Sequence, residues 1–296
     1  MEELIKKNEK SSQKISRRDF ITKSSAAAAA FMIVPRYVLG GPGYTAPSDK
    51  INIAAIGVGG KGRSDIAAVA TENIVALCDV DDVKMFDTIK RAGEWAEEKG
   101  LSENPLTKVP RYKDFREMLD KQKDIDAVTV STPDHFHAVA AITAIKQGKH
   151  AFVQKPLTYS VDEAQKLSAA AKKAGVVTQM GNQGHAGEGI RLIGEWLKDD
   201  AIGEVREVHC WTNRPIWDTG MNRPAEIPSV PPTLDWNQWI GPAPFRPYHP
   251  DYAPWSWRAW CDFGTGALGD MGAHIFDIPY HTLKMDHPSS VFASSS

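Results

Sequence analysis

Short apolar runs rich in β-branched residues alternate with longer amphipathic stretches over residues 50–181. The runs predict strands at residues 51–56, 74–78, 127–130, 151–153 and 176–180. The stretches between them predict helices near residues 62–70, 82–98, 114–122, 135–147 and 161–174. Alternation of this kind is typical of a parallel sheet that is covered by helices on both faces. We therefore predict a doubly wound α/β domain.

The pattern changes after residue 181. A predicted helix near residues 187–199 leads to a predicted strand near 205–212, and six of the nine tryptophans fall within residues 213–262. A glycine-rich turn at 264–269 precedes a further predicted helix. We therefore divide the chain into a leader and linker (1–45), an α/β domain (46–181) and a second domain (182–296).

Composition limits the classes of function. The chain has 296 residues, of which 42% are hydrophobic and 24% charged, so it is long enough for two packed domains. Its formal net charge is −2, and no basic field favours nucleic acid as a partner. Residues 1–23 carry seven Lys and Arg against four Asp and Glu, a surplus of three that leaves −5 for the rest. The basic character therefore belongs to the leader.

The leader has the pattern of an export signal. It contains Arg17 and Arg18 in the sequence S-R-R-D-F-I, followed by an apolar run of nine residues at 26–34. A bilayer span takes about 20 residues, so this run is too short for a membrane anchor. The paired arginines resemble a twin-arginine signal, which predicts a partner in that export machinery and a periplasmic or otherwise exported protein. The alternative is a chance basic segment before an alanine-rich helix.

A glycine-rich motif follows the first predicted strand. Gly57, Gly59 and Gly62 form G-x-G-x-x-G, in which the first glycine permits a tight turn. The second lets the backbone approach a diphosphate, and the third lets the next helix pack closely. Asp79 ends the second strand, twenty residues past Gly59, where a carboxylate binds ribose hydroxyls and repels a 2′-phosphate. The motif therefore predicts NAD rather than NADP; the alternative is a glycine-rich turn without a ligand.

Two further clusters follow predicted strands, where ligands of open parallel sheets bind. They are S-T-P-D-H-F-H at 131–137 and Q-K-P at 154–156. The alternatives are a turn whose histidines lie on a helix surface, and a surface lysine before a helix. With the glycine motif, they give the candidate cofactor-binding residues Gly57, Gly59, Gly60, Gly62, Arg63, Asp79, Thr132, Pro133, His135, His137, Gln154 and Lys155.

Asp270 and His274 stand four residues apart in a predicted helix and so share one face. An imidazole can take a hydroxyl proton while a carboxylate orients the ring. A structural pair and a metal pair are the alternatives, although no third metal ligand is evident. The three cysteines are far apart and indicate neither a disulfide framework nor a zinc site, so we predict no metal.

Taken together, these segments resemble the Gfo/Idh/MocA oxidoreductase family from about residue 50 onward. The resemblance rests, in order, on GVGGKG, STPDHFH, the lysine–proline dipeptide, DWNQWIGPAP and GALGDMGAH. It implies that Lys155 and His274 are catalytic and that Asp270 supports the histidine. It also implies a second, α+β domain with an open, mostly antiparallel sheet, which is often used in homo-oligomer contacts.

The sequence departs from the family in two ways. The family's E-K-P reads Q-K-P here, which removes a carboxylate beside Lys155. Family members also continue through more strands of the second domain, so we expect this sequence to be truncated, with sheet edges left unpaired.

The resemblance implies an NAD-dependent enzyme that transfers a hydride between nicotinamide and a hydroxyl carbon of a sugar, glycoside or polyol. Aromatic faces stack on sugar C–H faces and cations bind hydroxyls, so the candidate substrate contacts are His185, Trp236, Trp257 and Arg258. One alternative is an NAD-dependent glycosidase that oxidises its sugar transiently and recycles the cofactor. Another is a non-catalytic sugar-binding relative.

Overall fold

The structure is a computed structural model that describes residues 45–98 and 100–294. The described residues from Ile51 onward form one compact unit, which is presented below. In the other unit, the described residues contain a short 3₁₀ helix at Pro47–Asp49. The predicted export signal lies outside the described residues and stays a prediction.

A parallel sheet organises the first part of the compact unit. Its strands are β1 (Asn52–Ile56), β2 (Asn73–Cys78), β3 (Arg111–Tyr112), β4 (Ala127–Val130), β5 (His150–Gln154) and β6 (Thr178–Gly181). All pairings among these described strands are parallel, in the order β3-β2-β1-β4-β5-β6. This is the order of a doubly wound dinucleotide-binding sheet, and it confirms the α/β prediction. The sequence pattern does not predict β3, since two residues leave no alternation to detect.

Helices connect the strands and continue beyond them. They are α1 (Lys61–Ala68), α2 (Asp82–Glu98), α3 (Phe115–Lys121), α4 (Asp134–Lys146), α5 (Val161–Ala174), α6 (Glu188–Lys198), α7 (Trp236–Ile240), α8 (Gly266–Ile275) and α9 (Asp277–Thr282). Short 3₁₀ helices lie at Gln183–Ala186 and Ser256–Ala259. Among the described residues, no helix combines the length and the apolar character that a membrane span requires.

Local sequence explains where α5 begins and ends. Ser160 accepts a hydrogen bond from the backbone N–H of Glu163, whose side chain accepts from the backbone of Ser160 in return, and this is a capping box. Gly175 ends the helix in the left-handed region at φ 68°, which favours glycine. Such signals place helix ends well, and the six helix predictions up to residue 199 agree with α1 to α6 within two residues at each end.

The two faces of the sheet have separate cores, as the two-residue period of a strand requires. Ala54 and Ile56 of β1 point into a core with α3, α4 and α5, which includes Met118 and Ile145. Ala55 points to the other face and packs with residues of α1 and α2. Helices therefore cover both faces, and the carboxyl ends of the strands share one edge.

The strand predicted near residues 205–212 is not formed. These residues have no regular secondary structure and are mostly exposed. A strand needs a backbone partner for its N–H and C=O groups, and no described segment pairs with this one. Within the described residues 182–294, helices and loops therefore stand where the resemblance implies an antiparallel sheet.

The tryptophan-rich segment builds a third core of aromatic residues. Trp236 stacks on Trp239 with ring centroids 4.8 Å apart. Other buried members of this aromatic core are Ile240, Tyr252, Ala253, Trp257, Trp260 and Phe263. The backbone N–H of Asp235 donates to the carbonyl oxygen of Val80 over 2.9 Å. The aromatic core therefore lies beside the carboxyl end of β2.

Candidate active site

The glycine loop, residues 57–62, runs from β1 into α1 and is built where side chains have no room. Gly57 has a φ of +79°, and a Cβ there would lie 2.8 Å from the carbonyl group of Ser131. A Cβ on Gly62 would overlap the carbonyl oxygen of Gly57. No side chain caps the eight-residue helix α1; the N–H of Gly62 donates to the carbonyl oxygen of Gly59 at 2.9 Å, and the other N–H groups of its first turn are available to a phosphate.

Asp79, directly after β2, is fixed at the edge of the glycine loop. Its Oδ2 accepts from the backbone N–H of Val58 at 2.9 Å and of Gly59 at 3.3 Å. Its Oδ1 accepts from the backbone N–H of Asp81 at 3.0 Å. Burial raises the pKa of this carboxyl, and the three N–H donors oppose the shift. The carboxylate is therefore held against the glycine loop, and its contact with a ribose stays a prediction.

A cleft of about 610 Å³ joins the glycine loop to the tryptophan-rich segment. Ligand pockets commonly span about 300–1,000 Å³, so a cofactor-sized molecule fits. The predicted cofactor-binding residues that line it are Gly57, Gly59, Gly60, Asp79, Thr132, Pro133, Gln154 and Lys155. Trp257, Arg258 and Asp270 line the same cleft. The cleft therefore contains most of the predicted cofactor-binding residues and two of the three predicted catalytic residues, Lys155 and Asp270.

Arg63 was predicted beside the cofactor, but it does not line this cleft. Its guanidinium lies 2.5 Å from the carboxylate of Asp87 and also donates to Thr88 at 3.5 Å, both on α2. Arg63 therefore joins α1 to α2. The sequence places Arg63 near the start of α1, but it does not specify the direction in which the side chain points.

His135 and His137 were also predicted beside the cofactor, and both are buried outside the cleft lining. The ring nitrogens of His135 lie 3.2 and 3.1 Å from the carbonyl oxygens of Phe263 and Trp239. Burial lowers the pKa of His135, while these carbonyl acceptors oppose the shift. His135 therefore attaches the aromatic core to α4.

His137 holds the ends of two strands together. Its ring nitrogens lie 2.7 Å from the carbonyl oxygen of Pro156 and 2.8 Å from that of Thr132. The segments after β4 and β5 are thereby fixed relative to each other. These two contacts support the backbone beside Lys155, and the His137 side chain does not line the cleft.

Lys155 and Asp270 form the charged pair of the cleft. Lys155 Nζ lies 2.5 Å from Asp270 Oδ1 and 2.9 Å from the backbone oxygen of Asp270. The side chains are only 17% and 11% exposed. Arg258 Nε lies 3.8 Å from the same carboxylate oxygen. The carboxylate predicted to support His274 therefore pairs with Lys155, because the fold brings β5 to α8.

Asn182 is the residue that holds His274. The Nδ1 of His274 lies 2.8 Å from Asn182 Oδ1, and Asn182 Nδ2 donates to the backbone oxygen of Ala273 at 2.6 Å. The second bond orients the amide, so Nδ1 of the ring carries the proton and Nε2 is free to act as a base. Burial lowers the pKa of His274, the charge of Lys155 lowers it further, and Asp270 and Asp277 oppose the shift. His274 is not among the residues that line the cleft.

The four candidate substrate contacts divide between the cleft and other places. Trp257 and Arg258 line the cleft, and the guanidinium lies 4.1 Å from the centre of that indole ring. Trp257 is a member of the aromatic core that also borders the cleft, whereas Trp236 lies in that core away from the cleft lining, and its Nε1 donates to the backbone oxygen of Arg246 at 2.8 Å. His185 pairs with Asp277 on α9, with Nδ1 3.0 Å from the carboxylate.

Several residues that line the cleft or support its side chains are not among the predicted site residues. Lys61 and Ser131 line the cleft, and both contact Asp65, a buried carboxylate of α1. Lys61 lies inside the glycine motif and Ser131 follows a predicted strand, so both had a positional signal. Asn182 likewise follows β6. Asp65 had none, because a single aspartate in a helix is normally exposed.

A doubly wound sheet with a glycine loop after its first strand, and Asp79 and a lysine–aspartate pair in the same cleft, has the arrangement of a dinucleotide-binding domain. The sequence profile described as oxidoreductase family, NAD-binding Rossmann fold, matches residues 51–182. The profile of the C-terminal alpha/beta domain of this family matches residues 204–294. The chain belongs to the Gfo/Idh/MocA oxidoreductase family.

Relatives carry the names of several enzymes. A glycosyl hydrolase family 109 protein from Solibacter usitatus is 34% identical over 124 residues, which are 41% of this chain and 27% of that protein. Levoglucosan dehydrogenase from Pseudarthrobacter phenanthrenivorans is 26% identical over 166 residues, 56% of this chain and 34% of that protein. The crystal structure of an oxidoreductase domain protein from Kribbella flavida has 26% identity and a TM-score of 0.51, covering 79% of this chain and 54% of that chain. The chain spans between about a quarter and a half of the length of the curated relatives it matches.

The residues of the cleft fit a dinucleotide. Gly57 and Gly62 leave no space for a Cβ, which keeps the loop backbone close to the sheet, whereas nothing lies within 4 Å of a Cβ on Gly60. The open side of the loop is therefore at Gly60, next to the uncapped start of α1. Among the described residues, no group of three or more His, Cys, Asp or Glu side chains is arranged to hold a metal ion.

Proposed function

We propose that this protein is an NAD-dependent oxidoreductase that acts on a hydroxyl carbon of a sugar, glycoside or polyol. The observation that carries the proposal is that Lys155 and Asp270 line the same cleft as the glycine loop. A dinucleotide held on that loop would have a buried amine and carboxylate at the far end of its site. The name of the levoglucosan dehydrogenase relative supports a carbohydrate substrate.

The cofactor would be held by backbone and one carboxylate. The N–H groups at the start of α1 bind the diphosphate, and Asp79 accepts from the adenosine ribose hydroxyls. A carboxylate at that place repels a 2′-phosphate and favours NAD over NADP. When bound, NAD would supply the acceptor for the hydride that leaves the substrate's C–H bond.

The side chains around the reacting carbon handle the proton and the charge. Lys155 Nζ, oriented by Asp270 at 2.5 Å, stabilises the oxyanion that forms as the hydroxyl is oxidised. His274 does not itself line the cleft, but it lies one helical turn from Asp270, and its Nε2 would take the hydroxyl proton because Asn182 occupies Nδ1. Arg258 and Trp257 contact the rest of the sugar from the cleft wall.

A second candidate function follows from the glycosyl hydrolase names among the relatives. In this cycle the sugar hydroxyl would be oxidised with NAD as the hydride acceptor, and the neighbouring C–H would then lose its proton to a base while the aglycone leaves. Water would add to the resulting double bond, and return of the hydride to the sugar would complete the hydrolysis. The cofactor is then recycled within one turnover. An exported enzyme without an external NAD pool would benefit from such a cycle.

One experiment separates the two reactions. The purified full-length protein is incubated with NAD and a panel of anhydrosugars, hexoses, inositols and 4-nitrophenyl glycosides. NADH accumulation supports the dehydrogenase, whereas release of 4-nitrophenol without NADH supports the glycosidase. Lys155→Met should remove either activity, and Lys166→Met is the matched control, because Lys166 pairs with Asp162 on an exposed face of α5. Turnover by Lys155→Met at the wild-type rate would overturn the proposal.

We also propose that the protein is exported through the twin-arginine pathway and assembles as a homo-oligomer. The S-R-R-D-F-I sequence supports export, and the family resemblance supports assembly. Replacing both Arg17 and Arg18 by Lys should leave the protein in the cytoplasmic fraction. Native mass spectrometry of the exported protein gives its mass as an assembly, and a monomer would contradict the second proposal.

A further inference from the structure

A buried carboxylate lies beneath the glycine loop and accepts from three side chains. Asp65, on α1, is 6% exposed. Its Oδ2 accepts from the hydroxyl of Ser131 at 2.8 Å and from Nε2 of Gln154 at 2.9 Å. Its Oδ1 lies 2.6 Å from Lys61 Nζ and 3.1 Å from the same Gln154 nitrogen. Every donor is a side chain, so the contacts depend on residue type rather than on backbone alone.

The three donors share a location. Lys61, Ser131 and Gln154 all line the cleft, whereas Asp65 does not. They come from the start of α1, the end of β4 and the end of β5, which are far apart in the sequence. One carboxylate therefore fixes side chains from three elements around the phosphate and nicotinamide ends of the proposed cofactor site.

The orientation of the Gln154 amide is determined on both sides. Its Nε2 faces Asp65, and its Oε1 accepts from the backbone N–H of Lys155 at 3.3 Å. Gly181 of β6 packs on the amide, since a Cβ there would lie 2.7 Å from Nε2. The amide can therefore neither turn over nor move away. A glutamate at 154 would place a carboxylate oxygen about 3 Å from Asp65, and two such carboxylates cannot both ionise.

We propose that Asp65 is a positioning residue for the cofactor cleft and that Asp65 and Gln154 are a matched pair. The helix α1 supplies the carboxylate, and position 154 must then carry an amide. This gives a physical reason for glutamine rather than glutamate at position 154 of this chain. The inference rests on the proposed function in that it names the cleft as the cofactor site.

Reciprocal substitutions test the pair. Gln154→Glu should weaken NADH binding by about tenfold at pH 8. The binding should recover as the pH falls, because the two carboxyls can then share a proton. Asp65→Asn should also weaken binding, since Lys61, Ser131 and Gln154 lose their common acceptor. The double variant Asp65→Asn/Gln154→Glu restores an amide–carboxylate contact between the two positions, but an amide at position 65 cannot accept from both Lys61 and Ser131, so it should bind NADH more tightly than Gln154→Glu and more weakly than wild type. Asp162→Asn, on the exposed face of α5, is the control.

Two measurements on these variants keep the outcomes distinct. NADH affinity is measured by fluorescence titration, and the urea midpoint of unfolding is measured without nucleotide. Failure of the wild-type protein to bind NADH would overturn the proposed function, while the urea midpoints would still test the pair. Gln154→Glu should lower the midpoint, and the double variant should raise it again toward the wild-type value. The matched pair would be overturned if Gln154→Glu changed neither NADH affinity nor the urea midpoint. It would also be overturned if the double variant bound NADH no more tightly than the weaker-binding single variant.

Discussion

Removing the carboxylate of Asp270 should destabilise the fold through Lys155. Asp270→Asn keeps the shape of the side chain but leaves the ammonium of Lys155, which is 17% exposed, without its counter-charge at 2.5 Å. Arg258, 3.8 Å from the same oxygen, then faces Lys155 with no charge between them. Breaking a buried ion pair from one side costs about 3–5 kcal/mol. Because some water reaches Lys155 and the backbone oxygen of Asp270 stays in place, we expect the lower end, about 3 kcal/mol.

Urea denaturation of the single and double variants tests this magnitude. The double variant Lys155→Met/Asp270→Leu removes both charges, so it should be more stable than Asp270→Asn, since a buried pair replaced by apolar side chains is often neutral. Asp162→Asn, which breaks the exposed pair with Lys166, should leave the unfolding midpoint unchanged. A loss below about 1 kcal/mol for Asp270→Asn, equal to that of an exposed pair, would refute the buried pair.

Three further predictions follow from the site and its surroundings. The lowered pKa of His274 keeps its ring neutral at pH values below the usual pKa of 6.5, so the rate should fall only when the pH drops through that lowered pKa. Asn182→Asp should raise the pKa of His274 and move the fall in rate to higher pH, as measured by the pH profile of kcat/KM and by an NMR titration of the ring. Asp79→Ser should raise the affinity for NADPH relative to NADH by about tenfold in equilibrium titrations, and an unchanged ratio would place the ribose elsewhere. Trp236→Ala should lower the free energy of unfolding by about 3–5 kcal/mol, because the ring stacks on Trp239 in the aromatic core. A loss under about 1 kcal/mol would mean that Trp236 is a surface contact.

Local patterns were sufficient for most of the first domain. The apolar runs placed the long strands, and the glycine motif with Asp79 twenty residues later gave one end of the cleft. These features depend on residues close in sequence, whose spacing is set by the two-residue and 3.6-residue periods. The position of Lys155 at a strand end followed from the rule for parallel sheets, and the structure places it in the cleft.

Side-chain partners could not be read from spacing. Asp270 and His274 share a helical face, yet Asp270 pairs with Lys155, 115 residues away in sequence, and His274 with Asn182. His135 also follows a strand, but it points into the protein because the aromatic core covers it. Whether a strand-end side chain meets a ligand or a neighbouring segment depends on tertiary packing, which no local pattern specifies.

The central claim is that a dinucleotide lies on the glycine loop with its reactive end beside Lys155 and Asp270. Equilibrium titration of the full-length protein with NADH, followed by energy transfer from tryptophan to the bound nicotinamide, tests it most directly, because Trp257 lines the same cleft. The account predicts saturable NADH binding, with NADPH weaker by about tenfold. Absence of binding for both nucleotides would contradict it.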